Sequence, residues 1–203
     1  MTLTLSSTAI DVLKFLTTNL TKEFTILKIA ENTGKTTRLT YAVVSRLAKE
    51  KIITIEKQAN LKLSRINLKM PQIISYIESI RWHEFAKKHR EINLIISDII
   101  KKSSLPYFTL SIFGSYAKNT ITKTSDLDIL IIIPDKKLED SIEAAVKSAK
   151  SLSKITLHDI IITHLEFLDM LKEKKINVAK EALEARYIPY GAEPFYTMVG
   201  QTA

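Results

Sequence analysis

FGSYAKNTITKTSDLDILIII, residues 113–133, sets two aspartates, Asp126 and Asp128, at the mouth of an unbroken isoleucine-rich run, with a Gly-Ser pair upstream. An apolar run this short reads as a buried strand. Strand side chains alternate between faces, so Asp126 and Asp128 are expected on one face while Leu127 and Ile129 enter the core. Two carboxylates on one face repel, and a bound cation relieves both. TLSIF (109–113) and KITLHDIIIT (154–163) read as further strands, and SIEAAVKSAKSL (141–152) as a helix between them. Asp159 interrupts the third run as Asp126 and Asp128 interrupt the second, which makes it the candidate third carboxylate. His158 is expected on the opposite face, and Asp135, Glu166 and Asp169 in a turn or on a helix surface.

The ligand chemistry follows from what the chain lacks. There are no cysteines among the 203 residues, so disulfides and zinc–thiolate sites are excluded. Oxygen ligands without a close histidine pair select a hard ion, Mg²⁺ or Mn²⁺, and magnesium commonly arrives with phosphates. Gly114 allows close backbone approach, and Ser115 offers a hydroxyl at the expected start of a helix, a place suited to phosphate. Gly34-Lys35-Thr36 is a decoy: a phosphate-binding P-loop needs a glycine where Ile29 stands.

Working outward, 45% apolar content is sufficient for a buried core, and the formal net charge is +8. Its distribution is uneven. Residues 1–70 hold 12 Lys and Arg against 5 Asp and Glu, residues 71–105 hold 6 against 4, and residues 106–203 hold 12 against 13. A cationic front and a near-neutral back imply two modules, the first facing a polyanion. No apolar run is long enough to span a bilayer and no leader pattern is visible, so a cytoplasmic location without membrane contact is expected.

In the front module, residues 7–20 carry apolar positions at helical spacing behind Ser6, Ser7 and Thr8. FTILKIAENTG closes a second helix at Gly34, and a third begins at the threonines near 36 and buries Leu39, Val43 and Leu47. IITIEKQANLKLSRINL reads as a hairpin about Gln-Ala-Asn. Three helices and a hairpin resemble the winged helix-turn-helix family. The resemblance implies a recognition helix from Thr36 and a hairpin lying along a nucleic-acid backbone, with Lys35, Thr37, Arg38, Tyr41, Lys57 and Lys62 as candidate contacts. A docking or dimerisation role fits the same pattern. Residues 71–105, opening at Pro71, read as a linker helix or a broken pair whose histidines are assigned no chemistry.

F-G-S-Y-A-K-N-T-I-T-K-T-S-D-L-D-I-L resembles the motif of the DNA polymerase β-like nucleotidyltransferase superfamily, G-S followed by S-D-x-D, and in particular its minimal nucleotidyltransferase branch. The resemblance spans about residues 107–199. It implies an α+β or α/β domain over 106–203 with a mixed sheet flanked by helices, and Mg-dependent transfer of a nucleoside monophosphate from an NTP, expected to be ATP, to a hydroxyl of tRNA, protein or a small molecule. Carried over by position, Gly114, Ser115, Lys118 and Ser125 would bind the nucleotide, and Asp126, Asp128 and Asp159 would hold the metals and serve in catalysis. Lys118 and Asn119 replace the family's frequent Arg-Gly. Two alternatives stand beside this: a DNA-binding regulator whose transferase-like module senses a nucleotide, and an antitoxin-like partner of a second small protein. Oligomerisation fits each of them.

Overall fold

The computed structural model describes residues 5–202. The chain opens with three helices, α1 (Ser7–Thr18), α2 (Ile26–Thr33) and α3 (Thr37–Lys49), followed by β1 (Ile53–Gln58) and β2 (Leu61–Ile66). Each helix starts where a hydroxyl satisfies an otherwise orphaned backbone donor: Ser6, Thr25 and Thr36 accept from the N–H groups of Ala9, Lys28 and Leu39. Gly34 ends α2 in the left-handed region at φ 64°, which a residue with a Cβ adopts only at a cost. β1 and β2 pair antiparallel from Ile53↔Ile66 to Gln58↔Leu61, and Phe24 bridges to Ser64, tying the hairpin to the α1–α2 connection.

Residues 71–102 form a broken pair, α4 (Pro71–Lys88) and α5 (Arg90–Lys102), hinged at His89. Pro71 sits at the first helical position, where its missing N–H costs nothing. After it come β3 (Thr109–Ile112), α6 (Gly114–Lys118), β4 (Leu127–Ile133), a 3-10 turn at Lys136–Leu138, α7 (Glu139–Leu152), β5 (Leu157–Thr163), α8 (His164–Lys172), α9 (Val178–Glu184), β6 (Tyr187–Tyr190) and α10 (Ala192–Thr202). The four later strands form one mixed sheet in the order β5-β4-β3-β6, with β4 and β5 parallel and the other pairings antiparallel.

Both faces of this sheet are covered, which is why β4 is apolar at nearly every position rather than at alternate ones. Leu127, Ile129, Ile131 and Ile133 pack with Ile92, Ile95, Ile96 and Ile99 of α5 and Ile142 and Val146 of α7. Leu130 and Ile132 face the other way, into a core shared with Phe167, Phe195 and Tyr196 and with the α1, α3 and α4 residues Leu13, Leu16, Leu47, Ile74 and Ile77. The front helices and the four-stranded sheet therefore share one apolar cluster, with α4 packed between them.

In α3 one position departs from expectation. Leu39 is 44% exposed, whereas Thr40, Val43, Val44 and Leu47 are buried. The buried stripe starts one residue later than the four-residue spacing implied, so Leu39 lies on the outer face with Arg38 and Tyr41, which are also exposed.

A buried polar network joins α1, α4, β6 and α10. Glu78 accepts from the Tyr196 hydroxyl at 2.7 Å and from the Ile188 N–H at 3.0 Å, and it pairs with Arg81. Arg186, 1% exposed, donates to the carbonyl of Thr17 at 2.7 Å, to that of Leu183 at 2.8 Å and to the Tyr196 hydroxyl at 3.2 Å. The Arg81 guanidinium donates to the carbonyl of Arg186 at 3.0 Å. Buried charges persist only where partners satisfy them, and these three have such partners.

Candidate active site

Asp128 is the second residue of β4, on the face that carries Leu130 and Ile132. Its carboxylate lies against the backbone of Gly114: a Cβ on that glycine would fall 2.0 Å from Asp128 Oδ2. Gly114 also has φ 66°, so the position both requires the left-handed region and has no room for a side chain. This answers why a Gly-Ser pair precedes the aspartates: the glycine lets the start of α6 close onto the Asp128 carboxylate. The Phe113 N–H donates to the Asp128 carbonyl at 3.1 Å, extending the β3–β4 pairing up to this contact.

Asp126 immediately precedes β4 and is exposed. Ser125 pins the turn in front of it, accepting from the Thr122 N–H at 2.9 Å and lying 3.1 Å from the Thr122 hydroxyl. Tyr116 of α6 is held above its ordinary pKa by burial first, then by the charges of Glu91 and Asp126, so Asp126 acts electrostatically on the same short helix that Gly114 opens. Lys118 forms an ion pair with Glu184 of α9 at 3.0 Å, and this contact holds the Glu184 carboxyl below its usual range. Helix α6 has five residues, too short for an appreciable dipole, so any phosphate affinity at Ser115 rests on its hydroxyl and local N–H groups.

Asp159 is not brought to this pair. In the parallel β4–β5 register Asp128 stands beside His158, and Asp159 beside Ile129. Side chains in register share a face, so Asp159 projects with Leu157 and Ile161 toward α7. There it forms an ion pair with Lys150, its side chain 16% exposed. His158, expected to point away from the carboxylates, is the residue at their side, with Nδ1 3.1 Å from Asp128 Oδ1. The period of two holds along β5, where His158 and Asp159 face opposite ways; the register between strands, which decides which β5 residue meets Asp128, has no signal in a single sequence. Asp135 accepts from the Lys137 N–H and Glu166 closes a capping box with Thr163, so both acids serve local turns.

Among the described residues no three His, Cys, Asp or Glu side chains gather as a metal cage. The arrangement fits Mg²⁺ or Mn²⁺ in another way, because magnesium keeps several waters and binds through one or two carboxylates together with substrate phosphates. Asp126, exposed just before β4, and Asp128, partly exposed at its second position, supply two such carboxylates.

Residues 95–185 match the family model of the nucleotidyltransferase domain. The match contains the Gly-Ser pair, both aspartates of the S-D-x-D motif and β5, and it supports placing this part of the chain in the nucleotidyltransferase superfamily, whose general reaction is transfer of a nucleoside monophosphate. No curated protein and no solved structure matches the chain.

Of the front-module candidates, Thr37, Arg38 and Tyr41 are exposed at the start of α3. Lys35 is engaged by Asp11 at 3.0 Å. Lys57 and Lys62 are direct cross-strand partners and both exposed. No helix among the described residues is long and apolar enough to cross a membrane.

Proposed function

We propose that the chain is a metal-dependent nucleotidyltransferase that moves a nucleoside monophosphate from an NTP, expected to be ATP, to a hydroxyl acceptor, and that residues 1–70 form a winged-helix module contacting a nucleic acid. The observation that supports the first part most is the contact between Gly114 and the Asp128 carboxylate inside the matched domain. In the reaction, the acceptor oxygen attacks the α-phosphorus, the α–β bridging P–O bond breaks, pyrophosphate leaves and the acceptor proton passes to solvent. Asp126 and Asp128 would hold the divalent ion, which supplies charge neutralisation on the phosphates. The chain's own groups do the positioning. His158 Nδ1 and the Gly114 backbone fix the Asp128 carboxylate from two sides, Ser115 offers a hydroxyl donor, and Ser125 fixes the turn ahead of Asp126.

The test is transfer from labelled ATP with Mg²⁺ to RNA, protein or small hydroxyl acceptors. Wild type should transfer and Asp128→Ala should not, while its circular dichroism stays unchanged. Undiminished transfer by Asp128→Ala rejects the site.

For the nucleic-acid part, the support is the Lys57–Lys62 pair. Like charges directly opposite on a hairpin destabilise it, and a polyanion laid along the hairpin relieves them. The expected result is duplex binding whose salt slope falls by about one for each lysine changed to alanine; a slope that does not change makes the hairpin a bystander. A second reading, a nucleic-acid-binding regulator that senses a nucleotide, is favoured by the placement of Asp159 away from the acid pair. It predicts ATP binding without transfer to any acceptor.

A further inference from the structure

Helix α6 has the Asp128 carboxylate at its first residue and a second feature along its side. A cleft of about 320 Å³ runs between α1, α4, α6 and β6, bounded by Lys14, Lys88, His89, Tyr116, Asn119 and Tyr187. Three of its rings form a ladder: Tyr187 stacks on Phe85 and Phe85 on His89, with centroids 4.3 Å apart in each step. Tyr116 stands edge-on to His89 at 6.2 Å. Lys88 is exposed and has no carboxylate partner among the described residues, whereas Lys14 is neutralised by Glu84 at 2.5 Å. His89 is held below its ordinary pKa by burial and then by the Lys88 charge.

A ring ladder, an unpaired cation and hydrogen-bonding groups at the rim, Asn119 and Thr18, are what a nucleotide needs: a stacking surface for its base, a charge for its phosphate and polar groups for its base edge. The volume is at the lower end of ordinary ligand sites and suits one nucleotide rather than a folded partner. We propose that this cleft binds a single nucleotide, with its base on His89 and Tyr116 and its phosphate on Lys88. The inference rests on the transferase reading only for its proximity to Asp126. Most of the wall, including Lys14, Lys88 and His89, lies outside residues 95–185, so this chain adds the cleft to the matched domain. The nucleotide has two sources, the nucleoside half of the NTP and the terminal nucleotide of a single-stranded acceptor.

The experiment measures equilibrium binding of ATP and, separately, of a short single-stranded RNA oligonucleotide, to wild type, His89→Ala and Lys88→Glu. Lys88 is on the surface, so its variant guards against a folding defect from substitution at the helix hinge. Both variants should bind one of the two ligands about tenfold more weakly or worse, at unchanged helical content, and the ligand affected names the source. Wild-type affinity of both variants for both ligands overturns the proposal, as does absence of binding of either ligand to the wild type. The two readings fail separately. Binding lost in the variants without any wild-type transfer leaves the cleft and removes the transferase; transfer with unaltered binding does the reverse.

Discussion

Replacing Gly114 with alanine tests the contact on which the site rests. The new Cβ would lie 2.0 Å from Asp128 Oδ2, whereas ordinary contact begins at 3.4 Å, so the carboxylate must retreat by about 1.4 Å. The residue would also keep φ near 66°, where an L side chain costs about 1–2 kcal/mol. For a chain of this size that strain lowers Tm by about 2–8 °C, which leaves the protein folded at assay temperature. The functional effect is larger, because displacement of a reacting group by about 1 Å costs about 10²-fold. Transfer by Gly114→Ala should therefore fall at least that far at saturating Mg²⁺, with only a modest loss of thermal stability. A double variant with Asp128→Ala separates the two causes: removal of the carboxylate removes the clash but not the backbone strain, so the pair should be less destabilised than the sum of the single changes. Wild-type transfer by Gly114→Ala would refute the reasoning, since Asp128 would then act from some other position.

Asp159→Asn should retain transfer within about threefold, because the side chain projects toward Lys150 on the far face; near-complete loss would show that the β4–β5 register does not place Asp128 beside His158. Tyr196→Phe removes the hydroxyl bound by Glu78 and Arg186, leaves buried charges under-satisfied, and should cost about 1–3 kcal/mol in urea unfolding. Burial holds His164 below 6.5, as burial and the Lys88 charge do His89, so protonation is penalised in the folded state. The stability these neutral rings contribute is full above their unfolded value of about 6.5 and is lost as pH falls from there through their depressed folded values; the urea midpoint should drop as pH is lowered through that interval, and His164→Asn with His89→Asn should flatten the drop.

The sequence was most informative where a local physical rule acts alone. Hydroxyl caps at Ser6 and Thr36, the Gly34 terminator, Pro71 at a helix start and the turn before β2 all rest on backbone groups within a few residues of one another, and each stands where it was expected; the Thr25 cap of α2 obeys the same rule without having been singled out. The face of Asp128 was legible for the same reason, since alternation along one strand needs no partner; Asp126 falls just before the strand. Asp159 was misplaced because its face depends on how β5 aligns with β4, and a shift of one residue exchanges it with His158. Leu39 was misplaced by one position because a stripe spaced at four does not say which of two neighbouring rows meets the core. His89 and Tyr116 were passed over because their meeting depends on how α4 lies across α6, and nothing near either residue in the chain encodes that.

The buried network explains why that crossing is held. Glu78 and Arg81 on α4 bind β6 and the residue before it through Ile188 N–H and the Arg186 carbonyl, and Arg186 in turn reaches the carbonyl of Thr17 at the end of α1. An apolar contact of the same area would tolerate sliding, but hydrogen bonds to charged groups are directional and lose most of their value within a small displacement. The network thus fixes α1, α4 and β6 as one body, and these elements supply every wall of the nucleotide cleft except α6. The remaining wall is tied to β4 through Gly114 and Asp128. The separation between the rings and the carboxylates is then set by α6, which Gly114 ties to Asp128 at one end, together with the β4–β3–β6 pairing of the sheet. Loosening the network should shift His89 against Tyr116 and leave the Asp128 contact in place, so a network variant that stays folded should weaken nucleotide binding more than it slows transfer at saturating nucleotide.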